Sequence, residues 1–238
     1  RWQELGHGVA TYFLAIYAGF EPGDAAKIAL GAAVVDHDPH TEPTRPINMI
    51  DGTTGAWHFP PRDMARALAD VTLASTRNLY EFGRRLHSVE DVGIDDAEGP
   101  HNFGSGWGRV FPIGHRVFKT EIGEWSTPLR HKADEFHQNP EKNRVMLWRL
   151  FDYLHTKAER HYGGSRSMEP ESAALIIDRL VRANRPGRVD ALLRKEAPGG
   201  KSYLDWRNDA AAGNLDWVPP EHQQYFKQRR FDNTVTNE

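Results

Sequence analysis

The amino-acid sequence predicts an all-α fold, a multi-helix bundle with two long loops laid over one end. Apolar residues recur at steps of three and four along most of the chain, the spacing that gives a helix one apolar face. No run of alternating apolar and polar residues is long enough to predict a sheet. Two irregular stretches, 38–60 and 92–129, exceed the usual connections of compact domains, and loops of that length are often functional.

The composition limits the classes of function. The 238 residues are 39% hydrophobic and 26% charged, which is ordinary for a soluble globular protein. A net charge of −3 argues against a surface for duplex nucleic acid, and no apolar window is long enough to predict a transmembrane segment. The chain has no cysteine, so any metal must be held by His, Asp or Glu. Nine of the twelve histidines lie in the first 137 residues, and this asymmetry motivates the search for a metal site.

The first two predicted helices each carry a polar residue where an apolar one is expected. The first helix covers residues 4–18 and directs His7 inward, unlike most surface histidines. The second helix starts at Pro22 and ends at Val35, where Asp36 closes an apolar run. A carboxylate at the end of such a run is expected either to cap a helix or to hold a cation.

A long helical run is predicted from Arg62 to Asp91, interrupted at most once. Near its end, His87 and Asp91 are four residues apart and therefore share a face, a spacing that can hold one metal ion. Gly83 lies one turn before His87 and leaves room for another backbone or an ion. The alternative interpretation of this pair is an ordinary surface contact along a helix.

Further helices are predicted in the second half of the chain. Asn139 and Pro140 form a good helix start, a second helix covers about 169–184, and a short one follows near 189–195. We predict a helical metallohydrolase domain over 1–196. Residues 197–238 are polar and turn-rich, and we expect them to form a C-terminal tail that packs on the same domain.

Taken together, the candidate ligands follow a definite order along the chain. That order is His7, Asp36, His58, His87, Asp91, His101 and His115, followed by an acidic group near Asp134. The series resembles that of the superfamily of zinc-dependent phospholipase C and the single-strand-specific zinc nucleases, which are all-helical. The resemblance covers residues 4–160, and its closest matches are Leu86 to Asp91, His58-Phe59-Pro60, and Gly114-His115.

The resemblance implies a cluster of two or three zinc ions. A first zinc would be held by Asp36, His58, His87 and Asp91. A second would be held by His7, with Asp91 bridging the two ions. A third would be held by His101 and His115 with one carboxylate.

The sequence departs from the family pattern in two places. The acidic ligand expected four positions after His115 is replaced by Lys119, so Asp134, then Glu135, with His131 in addition, would complete the third site. In some members the α-amino group of a first Trp is a ligand, whereas here Trp2 follows Arg1. We expect that ligand to be absent, which leaves the zinc near His7 weakly held or the cluster smaller than three ions. A chain that begins within a helical pattern without Met is expected to be a piece of a longer protein.

Metal ligands without sulfur leave an ion strongly Lewis-acidic, which suits attack of hydroxide on a phosphodiester. Asp36 would orient the attacking water or accept its proton. Trp57, Phe59 and Phe103, together with Trp107, would form an apolar rim for lipid chains or a platform for bases. The alternative is that these rings pack the loops down, with His58 as a packed histidine beside Trp57 and Phe59.

The sequence therefore predicts a zinc-dependent phosphodiester hydrolase, phospholipase C-like, which would make transient contact with a membrane surface. Arg84, Arg85, Arg109 and Arg116 suffice for one headgroup phosphate but are few for a strand, which favours a phospholipid over single-stranded nucleic acid. The resemblance favours a secreted or periplasmic enzyme or a toxin domain.

Three alternatives stay open. One is an HD-type phosphohydrolase, whose mark is an adjacent His-Asp pair such as His37-Asp38. Another is a non-catalytic domain whose loop-rich helical fold is held together by metal. The third is a lipid-surface or partner-binding module whose histidines only pack.

Overall fold

The computed structural model describes residues 4–41, 53–58, 77–94, 97, 99, 139–182, 192 and 194–228. Every regular element in these ranges is a helix, so the predicted all-α class is confirmed. The α-helices in chain order are α1 (Thr11–Tyr17), α2 (Pro22–Val34), α3 (Thr53–His58), α4 (Leu79–Val92), α5 (Pro140–Tyr162), α6 (Pro170–Val181), α7 (Tyr203–Ala212) and α8 (Pro220–Gln228).

A π-helical segment, Leu5–Ala10, runs directly into α1. The first predicted helix therefore exists, but its first turns are wider than those of an α-helix. Single π-helical turns are rare and are often found at functional sites, because the wider turn redirects a side chain. Here the segment carries His7, whose side chain is fully buried.

Helices α2 and α4 pack against each other more closely than ordinary side chains allow. A Cβ atom on Gly83 would lie 2.0 Å from the carbonyl oxygen of Ile28, and one on Gly31 would lie 2.2 Å from that of Tyr80. The space beside Gly83 is therefore filled by the backbone of α2. This close approach brings the end of α2 beside the last turns of α4.

The two long helices in the second half of the chain follow from local signals. The side chain of Asn139 accepts a hydrogen bond from the backbone N–H of Lys142, and Pro140 occupies the first turn of α5. Helix α5 ends at Gly163, whose φ of +71° is the left-handed conformation that glycine adopts readily. Helix α6 lies within the predicted range 169–184, whereas most of the short helix expected near 189–195 falls outside the described residues.

The structure corrects two details of the sequence-based prediction. Residues 53–58, expected to be loop, form the short helix α3. Residues 203–212 and 220–228, in the segment expected to be turn-rich, form α7 and α8. The predicted helical run before Asp91 allowed one interruption, and α4 begins after Asn78, whose extended backbone and side chain cap it. Residues 62–76 of that run lie outside the described residues.

One apolar core extends through the described helices. The largest fully buried side chains include Tyr12 and Phe13 of α1, Phe82 of α4 and Phe151 of α5. The C-terminal helices contribute Tyr203 and Phe226 to the same core. Among the described residues, no helix combines the length and the apolar character needed to cross a bilayer.

Candidate metal centre

His87 lies on the face of α4 that meets α2, and its side chain is fully buried. Its Nδ1 atom is 2.9 Å from the backbone carbonyl oxygen of Ala32. A carbonyl oxygen can only accept, so Nδ1 carries the proton and donates it to Ala32. The neutral ring therefore presents an unprotonated Nε2 on its other side, in the state that binds a metal.

His58 is the last residue of α3 and is oriented in the same way. Its Nε2 atom is 2.8 Å from the backbone carbonyl oxygen of Thr41, to which it donates. In the neutral ring this leaves a lone pair on Nδ1, which lies 3.1 Å from Nε2 of His87. The two rings meet edge to face, with centroids 4.9 Å apart.

His7 approaches from the π-helical segment. Its Nδ1 atom is 2.6 Å from Oε2 of Glu90, and the other carboxylate oxygen of Glu90 accepts a 2.7 Å hydrogen bond from the Thr11 hydroxyl. Its Nε2 atom lies 3.3 Å from Oδ1 of Asp91. The ring lies 3.9 Å from the ring of His87 between centroids.

Two carboxylates complete the cluster. Oδ2 of Asp91 is 3.3 Å from both Nδ1 of His58 and Nε2 of His87. Oδ1 of Asp36 is 3.8 Å from the same two nitrogens. All five side chains are buried, and we call His7, Asp36, His58, His87 and Asp91 the metal centre from here on.

The donor set fits a metal ion. The side-chain ligand atoms of His7, Asp36 and His87 lie within 4.8 Å of one another, as do those of His58, His87 and Asp91. Two unprotonated ring nitrogens 3.1 Å apart repel each other unless a proton or a metal cation lies between them. Each ring is also anchored through its other nitrogen, the arrangement that orients metal-bound histidines in proteins. These groups can therefore hold a metal ion.

Two histidines of the buried cluster, His7 and His87, differ in pKa and therefore in protonation. Burial lowers the pKa of His7, but hydrogen bonds to Asp91 and Glu90 outweigh it and raise this pKa to about 10. Burial and the positive charge of His7 lower the pKa of His87 to about 4. In the absence of a metal, a proton on His7 thus offsets part of the negative charge, while His87 stays neutral and able to bind a cation.

The structure brings together the first five predicted ligands and leaves the others undescribed. The five are the residues of the metal centre. The remaining predicted ligands, His101, His115, His131 and Asp134, with the alternative Glu135, lie outside the described residues. The same holds for the predicted rim residues Phe59, Phe103 and Trp107.

Trp57, the described member of the predicted rim, lies beside the metal centre on α3. Its ring is partly exposed, with the guanidinium carbons of Arg84 and Arg85 at 5.3 Å and 5.2 Å from its centroid. The hydroxyl of Ser88 donates to the backbone carbonyl of Trp57 at 2.7 Å and ties α3 to α4. One aromatic face and two cationic groups therefore lie next to His58.

The His37-Asp38 pair of the HD-type alternative has other contacts. The ring of His37 stacks on Tyr225, with centroids 4.7 Å apart. Asp38 binds Arg84 at 3.0 Å and His222 at 3.2 Å. Burial raises the pKa of Asp38, but these partners outweigh it and hold the pKa at about 2. The described contacts of the pair thus support packing and ion pairing.

Sequence reasoning missed Glu90, which orients His7. Glu90 is fully buried, and burial raises its pKa even though His7 and Thr11 act in the opposite direction. A signal was available, because Glu90 is three residues after His87 and so lies near its face of α4. The carbonyl anchors at Ala32 and Thr41 left no such signal, since any residue supplies a backbone oxygen.

Comparisons with protein-family models, with curated proteins and with solved structures found no match to this chain.

Proposed function

We propose that this protein is a zinc-dependent hydrolase of phosphodiesters, most similar in activity to phospholipase C. One observation carries the proposal: the inner nitrogens of three anchored histidines converge on two buried carboxylates. Nitrogen and carboxylate oxygen without sulfur suit zinc among the common metals. Carboxylate and imidazole sets of this kind serve hydrolases of phosphate esters.

The residues divide into two groups by role. Asp36, His58, His87 and Asp91 would hold one ion, and His7 with Asp91 a second one. When bound, zinc supplies Lewis acidity toward a phosphoryl group and toward water. The two backbone carbonyls orient His58 and His87 so that their unprotonated nitrogens face the centre. Glu90 orients His7, which would give up a proton on binding an ion.

Asp36 is the residue we assign to proton transfer. Its carboxylate is buried in the metal centre, with Oδ1 at 3.8 Å from both Nδ1 of His58 and Nε2 of His87. Asp36 would orient an attacking water and accept its proton.

The surroundings of Trp57 support a small phosphodiester with an apolar neighbour. Arg85 supplies positive charge for one phosphate, while Arg84 is paired with Asp38 and Glu81. The partly exposed Trp57 suits a lipid chain or headgroup. We therefore favour a phospholipid, bound during transient contact with a membrane surface, over single-stranded nucleic acid.

A hydrolysis screen of zinc-loaded protein tests this function. The substrates are phosphatidylcholine vesicles, single-stranded DNA and a chromogenic phosphodiester, each with wild type and with His87→Ala. We expect zinc-dependent release of phosphocholine that His87→Ala abolishes. Rapid cutting of DNA without phosphocholine release would mean that the substrate is single-stranded nucleic acid and not a phospholipid. No hydrolysis of any substrate by a zinc-loaded protein would overturn the proposal.

A second candidate function is a metal centre that only stabilises the fold. It is favoured by burial, since His7, His87 and Asp91 have no exposed surface. A structural ion contributes its binding energy to folding and needs no path for substrate. Zinc content with full stabilisation but no hydrolysis in the same screen would support this candidate instead.

A further inference from the structure

The C-terminal helices α7 and α8 contact residues on two sides of the metal centre, although they lie beyond residues 4–160 that carry the predicted ligands. We infer that this helix pair positions the metal centre, with His222 holding the turn that bears Asp36, and Tyr203 with Arg207 holding the segment that bears His7. The inference rests on the proposed metal centre and adds positioning residues to it.

His222 lies on α8 and is buried against α4. Its Nε2 atom is 3.2 Å from Oδ2 of Asp38, and its Nδ1 atom is 2.9 Å from the hydroxyl of Tyr80. A carboxylate only accepts here, so Nε2 donates to Asp38, and in the neutral ring the Tyr80 hydroxyl donates to Nδ1. Both ring nitrogens are therefore used, which sets the ring in one orientation.

Asp38 links His222 to the turn that follows α2. Its Oδ1 atom accepts from the backbone N–H of His40 at 2.9 Å, and its backbone carbonyl accepts from that of Thr41 at 2.9 Å. The Thr41 hydroxyl donates back to the carbonyl of Val35 at 2.7 Å. The turn is thus closed on itself around Asp38.

This turn contributes twice to the metal centre. Asp36 supplies a carboxylate from within it, and the carbonyl of Thr41 accepts from Nε2 of His58. A shift of the turn would move a ligand and would also release the ring of another ligand. His222 bonds to Asp38, and through Asp38 it would position both groups.

The second contact is made by α7. Nε of Arg207 donates to Oε1 of Glu4 at 2.6 Å, and the hydroxyl of Tyr203 donates to the same oxygen at 2.9 Å. Glu4 immediately precedes the π-helical segment that carries His7. Tyr203 also lies against Gly8, where a Cβ atom would come within 2.3 Å of the tyrosine oxygen.

Arg207 joins the two contacts into one unit. Its NH1 group donates to the carbonyl of Phe226 in α8 at 3.3 Å, one turn beyond His222. Apolar side chains would bury equal area at these places, but they would not fix direction as hydrogen bonds do. Directional, buried bonds at residues two and three positions from metal ligands are what a positioning role requires.

The test replaces His222 by two side chains of nearly equal size. His222→Gln keeps an N–H donor at the place of Nε2, whereas His222→Met removes it. Each variant is titrated with Co²⁺ at 25 °C, and the dissociation constant and the visible absorption of the bound ion are measured. His155→Met is the matched control, because His155 donates to the carbonyl of Ala18 away from the metal centre.

We expect His222→Met to bind Co²⁺ about 10- to 100-fold more weakly, the range seen when outer partners of metal ligands are lost. Its absorption spectrum should change as the Asp36 ligand shifts. His222→Gln should stay near wild type, and so should His155→Met. Tyr203→Phe, which loses only the hydroxyl that reaches Glu4, should weaken binding in the same direction.

The outcomes separate the two claims. If wild type binds no Co²⁺ or Zn²⁺, the metal centre itself is wrong. If wild type binds and His222→Met binds equally well with the same spectrum, only the positioning role is wrong. A purely structural role for His222 would lower the unfolding temperature of the metal-free protein while leaving the native affinity and spectrum unchanged, and that result also overturns the inference.

Discussion

At the scale of single residues, the metal centre depends on what each histidine does with its second nitrogen. His87 donates to Ala32, His58 donates to Thr41, and His7 is held by Glu90. The neutral rings of His87 and His58 thereby keep their other nitrogen unprotonated, whereas His7, whose pKa is raised to about 10, must lose a proton before it can bind a cation. The consequence is that metal binding is sensitive to the ligands and to their partners.

Removal of a ligand should remove metal. We expect His58→Ala and His87→Ala each to lose most bound zinc and any hydrolytic activity, because no cysteine exists to replace the ligand. Zinc content is measured after purification without chelator, with His155→Ala as the control that retains metal. Full zinc content in both ligand variants would contradict the assigned centre.

Glu90 should act through His7. The substitution Glu90→Gln keeps the size of the side chain but removes the charge that favours donation from Nδ1 of His7. We expect metal affinity to fall at least about tenfold, the lower end for outer-shell changes. Competition with a chromophoric chelator measures this affinity, and an unchanged value would mean that His7 needs no anchor.

At the scale of elements, the centre depends on how closely α2 and α4 approach. Asp36 follows α2, whereas His87 and Asp91 lie in the last turns of α4. The ligands can meet because glycines at positions 31 and 83 allow backbone contact between the two helices. Helix packing thus sets the distance between ligands that are 51 residues or more apart in the chain.

The substitution Gly83→Ala should separate these helices. Its Cβ atom would lie 2.0 Å from the carbonyl oxygen of Ile28, so the backbones must move apart. We expect a loss of about 3 kcal/mol or more in the free energy of unfolding, with weaker metal binding. Gly164→Ala is the control, because a Cβ atom there meets nothing within 4 Å. Chemical denaturation measures the free energy of unfolding of the two variants. Equal stability of Gly83→Ala and Gly164→Ala would contradict the close packing of α2 and α4.

A pH-dependent contact joins the start of α2 to the end of α5. Oδ1 of Asp24 accepts from Lys27 at 2.9 Å, and Oδ2 accepts from the Tyr162 hydroxyl at 2.7 Å. Burial raises the pKa of Asp24, but these hydrogen bonds outweigh it and hold the pKa below its usual value. The stability that the carboxylate contributes is therefore complete above the unfolded-state pKa of about 4 and is lost as the pH falls below it.

We expect Asp24→Asn to lower the free energy of unfolding by about 1 kcal/mol at pH 7, with a difference from wild type that shrinks below about pH 4. Denaturation of the metal-free proteins across this pH range provides the measurement. A difference that grows on acidification would have the wrong sign for a carboxylate whose pKa is lowered by folding.

At the scale of the whole molecule, metal and fold should be coupled. The ligands come from the π-helical segment, the turn after α2, α3 and α4, so the two ions together would join four parts of the chain. A ligand that binds only the folded state stabilises it by mass action, by about 4 kcal/mol at 1,000 times its dissociation constant.

Chelation should therefore lower the unfolding temperature by several degrees, and added zinc should restore it. Calorimetry of EDTA-treated and zinc-reloaded protein provides the comparison, and His87→Ala should show no response to either treatment. An identical unfolding curve after verified metal removal would mean that the ion contributes nothing to the fold.

How much of the fold can be predicted from the sequence also differs by scale. The all-α class and helix α5 follow from local rules, because Asn139 and Pro140 act on the backbone next to them. Helix α7 has an equally local signal, the capping box between Ser202 and Asp205, but it lacks a clear apolar period and was expected to be turn-rich. Helix α3 has neither signal, and a hydrogen bond from Ser88 of α4 to the backbone carbonyl of Trp57 ties it to the rest of the fold.

The sequence by itself determined the chemistry that is available to this protein. Helical spacing placed His87 and Asp91 on one face, and the absence of cysteine restricted any metal to nitrogen and oxygen ligands. Only the tertiary structure decided which distant side chains meet and which ring nitrogen faces the other members of the metal centre. The physical reason is that local periodicity specifies a face of one helix, whereas orientation depends on acceptors such as the carbonyls of Ala32 and Thr41, which become neighbours only when the helices pack.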